Sequence, residues 1–330
     1  MKIIQTAYYD RFRCLAGACP DSCCQEWDVQ VDNSSAQRYL ALPGELGERL
    51  REKLKQADGE YYLEITDRRC PMWRKDGLCD IQAQLGHEGL CQVCRDFPRL
   101  RHGYGDFVEL GLELSCPEAA RLILNSPPQP PVVREIPGSE PAEYDREDMA
   151  LLLSTREQAL EILRDHPVPQ ALTLLLLWSH RVQEALDGGS LDSFDSEAEL
   201  ALARQIAQPF SGHLLREFYQ QLEVLTPRWH NLLANPGEAS PWNEQHRSMA
   251  RYGVERYWLQ AVSDLDLVCR AKFILAGCIL VRNLGEDTVS IAQLYSKEIE
   301  NSSENVDAIW DGAYCHPALT DAHLLGALMI

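Results

Sequence analysis

From residue 146 onward, apolar residues recur every three to four positions, the period of an amphipathic helix. The pattern predicts helices near 146–165, 168–187, 194–208, 211–225, 245–263, 265–283, 288–302 and 318–328. Gly188-Gly189, Pro209, Pro227 and Asn235-Pro236-Gly237 punctuate them. Earlier in the chain the pattern is mixed. A helix is expected over 34–56, broken near Pro43-Gly44, and a strand over 61–66. Asp76-Gly77 signals a turn before the short helical string LCDIQAQLG. A hairpin is expected over 100–114 around Gly103-Tyr104-Gly105, because 107–114 then alternates apolar and polar. Ser115-Cys116-Pro117-Glu118 has the form of a capping box with proline in the first turn. It would open the helix EAARLIL and put Cys116 at a helix N-terminus, where backbone N–H groups and the helix dipole favour a thiolate.

These two regimes meet at residues 126–145, SPPQPPVVREIPGSEPAEYD, where six prolines prevent helix propagation and favour extended geometry. The expected architecture is mainly α. A small cysteine-rich α+β N-terminal metal-binding region (1–125) is followed by a Pro-rich linker (126–145) and an all-α helical domain (146–330). The length of 330 residues suits one large domain or two ordinary ones. No glycine-rich strand-turn-helix for a dinucleotide and no Walker sequence is present.

Charge narrows the partners. The formal net charge is −19, opposite to the basic footprint of a nucleic-acid binder. Residues 1–125 hold 16 Lys/Arg against 20 Asp/Glu, and residues 126–330 hold 15 against 30. The acidity is first a solvated, solubilising face and second a lure for basic partners. The most apolar run, 172–178, is too short to span a bilayer, and the first residues carry no secretory apolar stretch. No membrane association and a cytoplasmic location are expected. Only 6 of the 31 basic residues are lysine, first explained by a GC-rich genome.

Nine of the twelve cysteines lie in the first 116 residues, and none between Cys116 and Cys269. Disulfides are rare in the cytosol, so the clustering points to metal ligation. Cys91 and Cys94 have chelating spacing, and Cys19 and Cys23 would share a helix face. Adjacent Cys23 and Cys24 are expected to point apart. A structural zinc site usually shows two close cysteine pairs, whereas one C-x-x-C and several singly spaced cysteines suit a cluster held by dispersed thiolates better than a zinc ribbon. Zinc and iron–sulfur stand even on spacing alone. Arg11, Arg13, Arg68, Arg69, Arg74, Arg95 and Arg99 lie near cysteines and would offset a negative centre, with ordinary salt bridging as the plain alternative. Cys269, Cys278 and Cys315 are expected to be packing residues.

C-x4-C-x3-CC, RCPMWRKDGLCDIQAQLG, LCQVCRDFPR and LELSCPEAARLIL together resemble the flagellin lysine-N-methylase family, itself related to a broader group of cysteine-cluster proteins described as zinc or iron chelators. The resemblance covers 1–124 and returns weakly in the tail, LYSKEIENSSENVDAIWDGAYCHPALTDAHLL; it does not extend to 126–250. It implies methyl transfer from S-adenosylmethionine to lysine side chains of flagellin in the cytosol. It also implies a metal set of Cys14, Cys19, Cys23, Cys24, Cys70, Cys79, Cys94 and Cys116, with Cys91 variable, and it moves the balance towards a [4Fe–4S] cluster with zinc as alternative. Neither standard methyl-transfer route is visible. The glycine-rich cofactor fold is absent, and Cys24 directly after Cys23 breaks the C-x3-C-x2-C signature of reductive cleavage. No catalytic base and no S-adenosylmethionine pocket can be assigned from sequence.

Tyr8, Tyr9, Trp27, Trp73, Phe97 and Tyr104 are of the type that cages a methylated ammonium, although composition favours core packing. Lysine scarcity gains a second explanation under this resemblance, avoidance of self-modification. Two competing readings remain, a non-catalytic metal-stabilised protein-binding module and a thiol redox protein using Cys91 and Cys94. No thioredoxin-like βαβ pattern surrounds that pair.

Overall fold

A computed structural model describes residues 1–25, 29–57, 59–138 and 141–329. The front of the chain forms β1 (Lys2–Gln5), β2 (Val29–Val31), α1 (Asn33–Ala41), α2 (Gly44–Lys53), β3 (Leu54–Ala57), β4 (Glu60–Leu63), α3 (Asp80–Leu85), α4 (Gln92–Asp96), β5 (Arg99–Gly103), β6 (Phe107–Leu112), α5 (Pro117–Asn125) and β7 (Val132–Glu135). The remainder is helical: α6 (Arg146–Asp165), α7 (Val168–Leu186), α8 (Ser196–Ile206), α9 (Gly212–Gln220), α10 (Pro227–Ala234), α11 (Glu244–Tyr257), α12 (Leu267–Leu284), α13 (Thr288–Tyr295), α14 (Ser303–Cys315) and α15 (Asp321–Leu328). The mainly α architecture with a small α+β front is therefore the one observed.

The strands make two sheets. One is ordered β5-β6-β1-β7, the other β2-β4-β3. In the first, β5 and β6 form the expected hairpin, and β1 lies parallel to β6 and antiparallel to β7. The hairpin turn requires Gly105: its φ is +70°, and a Cβ there would come within 2.7 Å of the Ala142 backbone. The same contact draws residues 141–142 against the turn.

Two apolar cores result. The larger joins Phe107, Leu112, Leu114 and the inner face of α5 to α6, α7, α11, α12 and α15. Leu172, Leu174, Leu175 and Leu176 are fully buried, so α7 is covered on all sides and sits at the centre of the helical layer with α12. The smaller core gathers Val29, Val31, Tyr39, Leu50, Leu63 and Met72 with Cys70 and Cys91. Residues 1–125 thus contribute to both.

Several local expectations are corrected. Residues 54–57 form β3 rather than the end of a helix, because pairing with β4 overrides their helical propensity. Ser115 is not the cap of α5; Cys116 is, and it makes no side-chain cap bond. The Ser115 hydroxyl donates to Glu113, and Arg121 holds Glu118 through two 2.7 Å bonds, which removes both halves of the capping box. Val132–Glu135, inside the Pro-rich stretch, has the extended geometry expected there and is sheet strand β7. Pro227 opens α10 instead of only ending the previous element, as proline does at a first helical position. The tail contains α14, capped by Ser302 on Asn305 N–H, where no helix was expected.

His246 on α11 is fully buried, and burial with nearby Arg282 lowers its pKa to about 4. The unfolded chain takes up that proton near pH 6.5, so folding stability from this residue is lost as pH falls from 6.5 towards 4. A His246→Gln variant should show a shallower loss across that window, the difference reaching about 3 kcal/mol, measured by urea denaturation at pH 7 and pH 4.5.

Candidate functional site

All twelve cysteines are free thiols. The nine front cysteines, far apart in sequence, gather into two groups. Cys14, Cys19, Cys23 and Cys116 form the first group, in which the Cys14 sulfur raises the thiol pKa of the other three. Cys24, Cys70, Cys79, Cys91 and Cys94 form the second, in which Cys24 and Cys91 raise the thiol pKa of Cys70, Cys79 and Cys94. Adjacent Cys23 and Cys24 link the groups. Contrary to expectation they do not simply point apart, since their thiols hydrogen-bond each other. Cys91, variable by the family resemblance, is bonded to the Cys94 thiol within the second group.

Local folding explains how each sulfur is held. Cys79, Cys91 and Cys116 occupy the N-cap positions of α3, α4 and α5. Backbone N–H groups of Ile81 and Gln82 point at Cys79, that of Cys94 at Cys91, and those of Glu118 and Ala119 at Cys116. Cys70 and Cys19 receive N–H groups from Met72 and Asp21. Asp32 places two of these elements together, accepting from Ser35 N at the start of α1 and from Gln92 N at the start of α4. Burial pushes up its pKa, but the bonds from Ser34, Gln92 and Ser35 win and hold it well below the usual carboxylate range. Cys70 N donates to Cys24 O at 2.7 Å, which seats the first cysteine loop on the second group.

Burial opposes ionisation of most of these thiols. It pushes Cys70 up to about 12 and Cys116 up to about 11, overcoming the N–H groups aimed at them. The helix terminus therefore does not by itself make Cys116 a thiolate. Within the two hydrogen-bonded pairs the donors Cys23 and Cys94 are raised, and the acceptors Cys24, to about 7, and Cys91 are lowered. Among the described residues, no three Cys, His, Asp or Glu side chains converge closely enough to hold a metal ion as they stand. The donor set nonetheless fits a thiophilic centre in kind: thiols with N–H groups directed at sulfur, in a setting where a cation would be needed to displace the protons.

Four of the arginines near the cysteines are engaged elsewhere. Arg74 pairs with Asp76 at 2.6 Å, Arg13 bonds two carbonyls, Arg69 covers Trp73, and Arg99 lies over Phe12 and Tyr9. The late cysteines divide. Cys269 and Cys278 are buried packing residues, but Cys315 is exposed and bonds only the Asp311 carbonyl of its own helix, correcting the expectation for it.

A clamp from the helical layer holds the first cysteine loop. Asp21, between Cys19 and Cys23, accepts from Lys297 Nζ at 3.0 and 3.1 Å and from Gln293 Nε2 at 3.0 Å. Gln293 also donates to Ser115 O at 2.6 Å, beside Cys116. The clamp is three-quarters buried or more on both sides.

Sequence reasoning missed a cavity of about 210 Å³ between the first sheet and helices α6 and α11. Tyr8, Glu109, Arg156, Arg251, Tyr252 and Glu255 are among its lining. Beside it, Glu300 takes bonds from Tyr252 at 2.9 Å, Tyr257 at 2.8 Å and Arg256 at 3.2 Å. The available signal was RYGVERYW, a helix too charged for the buried position its apolar spacing demands. Of the aromatics singled out for a cage, Tyr8 lines this cavity; Tyr9, Phe97 and Tyr104 pack with the larger core, Trp73 lies under Arg69, and Trp27 falls outside the described residues.

Comparison with known proteins gives a consistent set. The chain is 33% identical over 132 residues to the lysine-N-methylase of Salmonella typhimurium, covering 38% of this chain and 33% of that protein. It is 33% identical over 132 residues to the flagellar biosynthetic protein FliU of Salmonella muenchen, covering 78% of that protein. A lysine-N-methylase of Salmonella choleraesuis matches at the same identity over a third of its length. The match thus spans a third of the two methylases. No family model and no solved structure matches the chain.

Replacing Lys297 with Met should release the cysteine loop. Amide hydrogen exchange over residues 14–25 should quicken about fivefold, the equivalent of ~1 kcal/mol of local opening, with α7 unchanged, as read by mass spectrometry.

Proposed function

Because this chain belongs to the flagellin lysine-N-methylase family, we propose that it transfers methyl groups from S-adenosylmethionine to lysine side chains of flagellin. The observation that carries the proposal is the 132-residue match to two lysine-N-methylases and to FliU. The grouping of the cysteines supports a thiolate-held centre as part of it. Cys14, Cys19, Cys23 and Cys116 would supply one set of donors, and Cys24, Cys70, Cys79 and Cys94 another, with Cys91 beside them. A [4Fe–4S] cluster is proposed for this centre, and zinc is the alternative. When bound, an iron–sulfur centre supplies either electrons or a rigid support for the fold. We place the reaction in the cytoplasm; among the described residues no helix is long and apolar enough to cross a membrane.

Methyl transfer to an amine places a demand on the protein that is independent of the cofactor. A lysine ammonium has no lone pair, so the protein must bind it, shed water from it and take its proton before nitrogen meets carbon. That work requires a carboxylate or phenol in a walled site.

The test is direct. Protein purified without oxygen should contain iron and sulfide, and with labelled S-adenosylmethionine it should label flagellin lysines. Cys70→Ser and Cys116→Ser variants should lose metal together with label. Zinc in place of iron and no label on flagellin would transfer the protein to the metal-stabilised binding class.

A further inference from the structure

The cavity under the first sheet is lined by no cysteine, and its polar groups are unevenly satisfied. Ile4, Leu100, Leu110 and Leu160 make its apolar walls, and the exposed residues Arg11, Gln129 and Glu157 lie at its rim. Four arginines face three glutamates across it. Arg156 holds both oxygens of Glu109 at 2.7 and 2.9 Å, so those two charges cancel. Arg256 is on Glu300, outside the lining, at 3.2 Å.

Arg251 and Arg11 have no carboxylate within hydrogen-bond distance among the described residues. The Arg251 side chain is nine-tenths buried, and its Nη2 donates to the carbonyls of Ile123 and Ser126 at 3.3 and 3.1 Å. Its Nε lies 3.8 Å from Glu255, too far for a hydrogen bond, and its Nη1 makes none among the described residues. Arg11 makes one bond, 3.3 Å to the Ser126 hydroxyl. Two guanidinium groups thus meet at one neutral residue, and each carries five N–H donors and no acceptor. The acceptors of the wall are already in use. Glu109 is taken by Arg156, and Glu255 accepts from the Tyr8 hydroxyl at 3.3 Å. The unmet bonding capacity here is for an acceptor, and an anion also relieves the repulsion of two like charges.

We propose that this cavity binds a small aliphatic carboxylate, its oxygens on Arg251 and Arg11 and its alkyl chain along Ile4, Leu100, Leu110 and Leu160. A planar guanidinium matches the two oxygens of a carboxylate, and the apolar walls call for a tail that inorganic phosphate lacks. Glu255, close to Arg251, also disfavours a dianion. A cation would leave Arg251 and Arg11 without an acceptor. The volume of about 210 Å³ is below the ~300 Å³ at which pockets begin to hold drug-sized ligands, so it suits a short chain rather than a nucleotide. A free short-chain acid and an α-amino acid both present this group. The site stands apart from the thiols and does not rest on the methylase reading.

The experiment is calorimetric titration of the full-length protein with acetate, propionate, butyrate and valerate, and separately with norvaline, n-butylamine and inorganic phosphate. Affinity should rise about fourfold for each methylene that enters the apolar part of the cavity. Valerate binding tighter than norvaline assigns a free acid and the reverse an amino acid; either sustains the site. Arg11→Gln, at an exposed position, should weaken valerate by up to about fivefold. Arg251→Gln should weaken it tenfold or more. Circular dichroism shows whether that protein keeps its fold without the bonds to Ile123 and Ser126, and if it does not, Arg11→Gln decides. Glu255→Gln should tighten valerate, because it removes the negative charge nearest Arg251. No binding of valerate or norvaline at millimolar concentration, a preference for butylamine, phosphate bound as tightly as valerate, or an affinity unmoved by Arg11→Gln would overturn the proposal.

Discussion

Strand β1 lies between β6 and β7 and is hydrogen-bonded on both sides, and the course of the first 25 residues depends on that insertion. Leaving the sheet at Gln5, the chain carries Thr6, Ala7 and Tyr8 along the cavity wall and reaches Glu255 on α11. It then buries Phe12 in the larger core and turns into the cysteine loop, which Lys297 and Gln293 fasten through Asp21. A parallel pair such as β1–β6 closes a loop of about a hundred residues, a non-local contact whose entropy cost must be offset by the core that forms around it.

Polar groups buried along the path are arranged by the same rule throughout. A buried donor or acceptor without a partner is costly, and the starts of α1, α3, α4 and α5 are placed where their N–H groups meet a carboxylate or a sulfur. Asp32 serves α1 and α4 together, and Cys79 and Cys116 receive the N–H groups of α3 and α5. Burial, in turn, raises the thiol pKa of Cys70, Cys79 and Cys116, while accepting a hydrogen bond from a neighbouring thiol lowers those of Cys24 and Cys91. Nearly all of the local chemistry is therefore set by desolvation, with backbone dipoles acting against it.

The helical layer was largely legible. Helices α6 and α7 fall within a residue of the expected bounds because each has a strong start signal, Asp145 accepting from Glu147 and Asp148 N–H and proline near the start of α7. Illegible elements share a cause. β1, β3 and β7 are four residues long, too short to show alternation, and they are strands only because a partner lies alongside. α10 and α14 were hidden by Pro227 and by a polar start, NSSEN, whose Ser302 in fact caps the helix.

The sequence by itself determined the helical class, the presence of a thiol-rich front and, through the residues between the cysteines, the family. Those properties are local: periodicity, composition and motif each survive without knowledge of distant partners. Only tertiary structure decided that the eight expected ligand cysteines and Cys91 fall into two groups, that Asp21 is held by Lys297 from the far end of the chain, and that Glu255 faces a cavity with a stretched ion pair. Such features depend on which groups lose water together, and burial is a property of the packed molecule rather than of any segment in it.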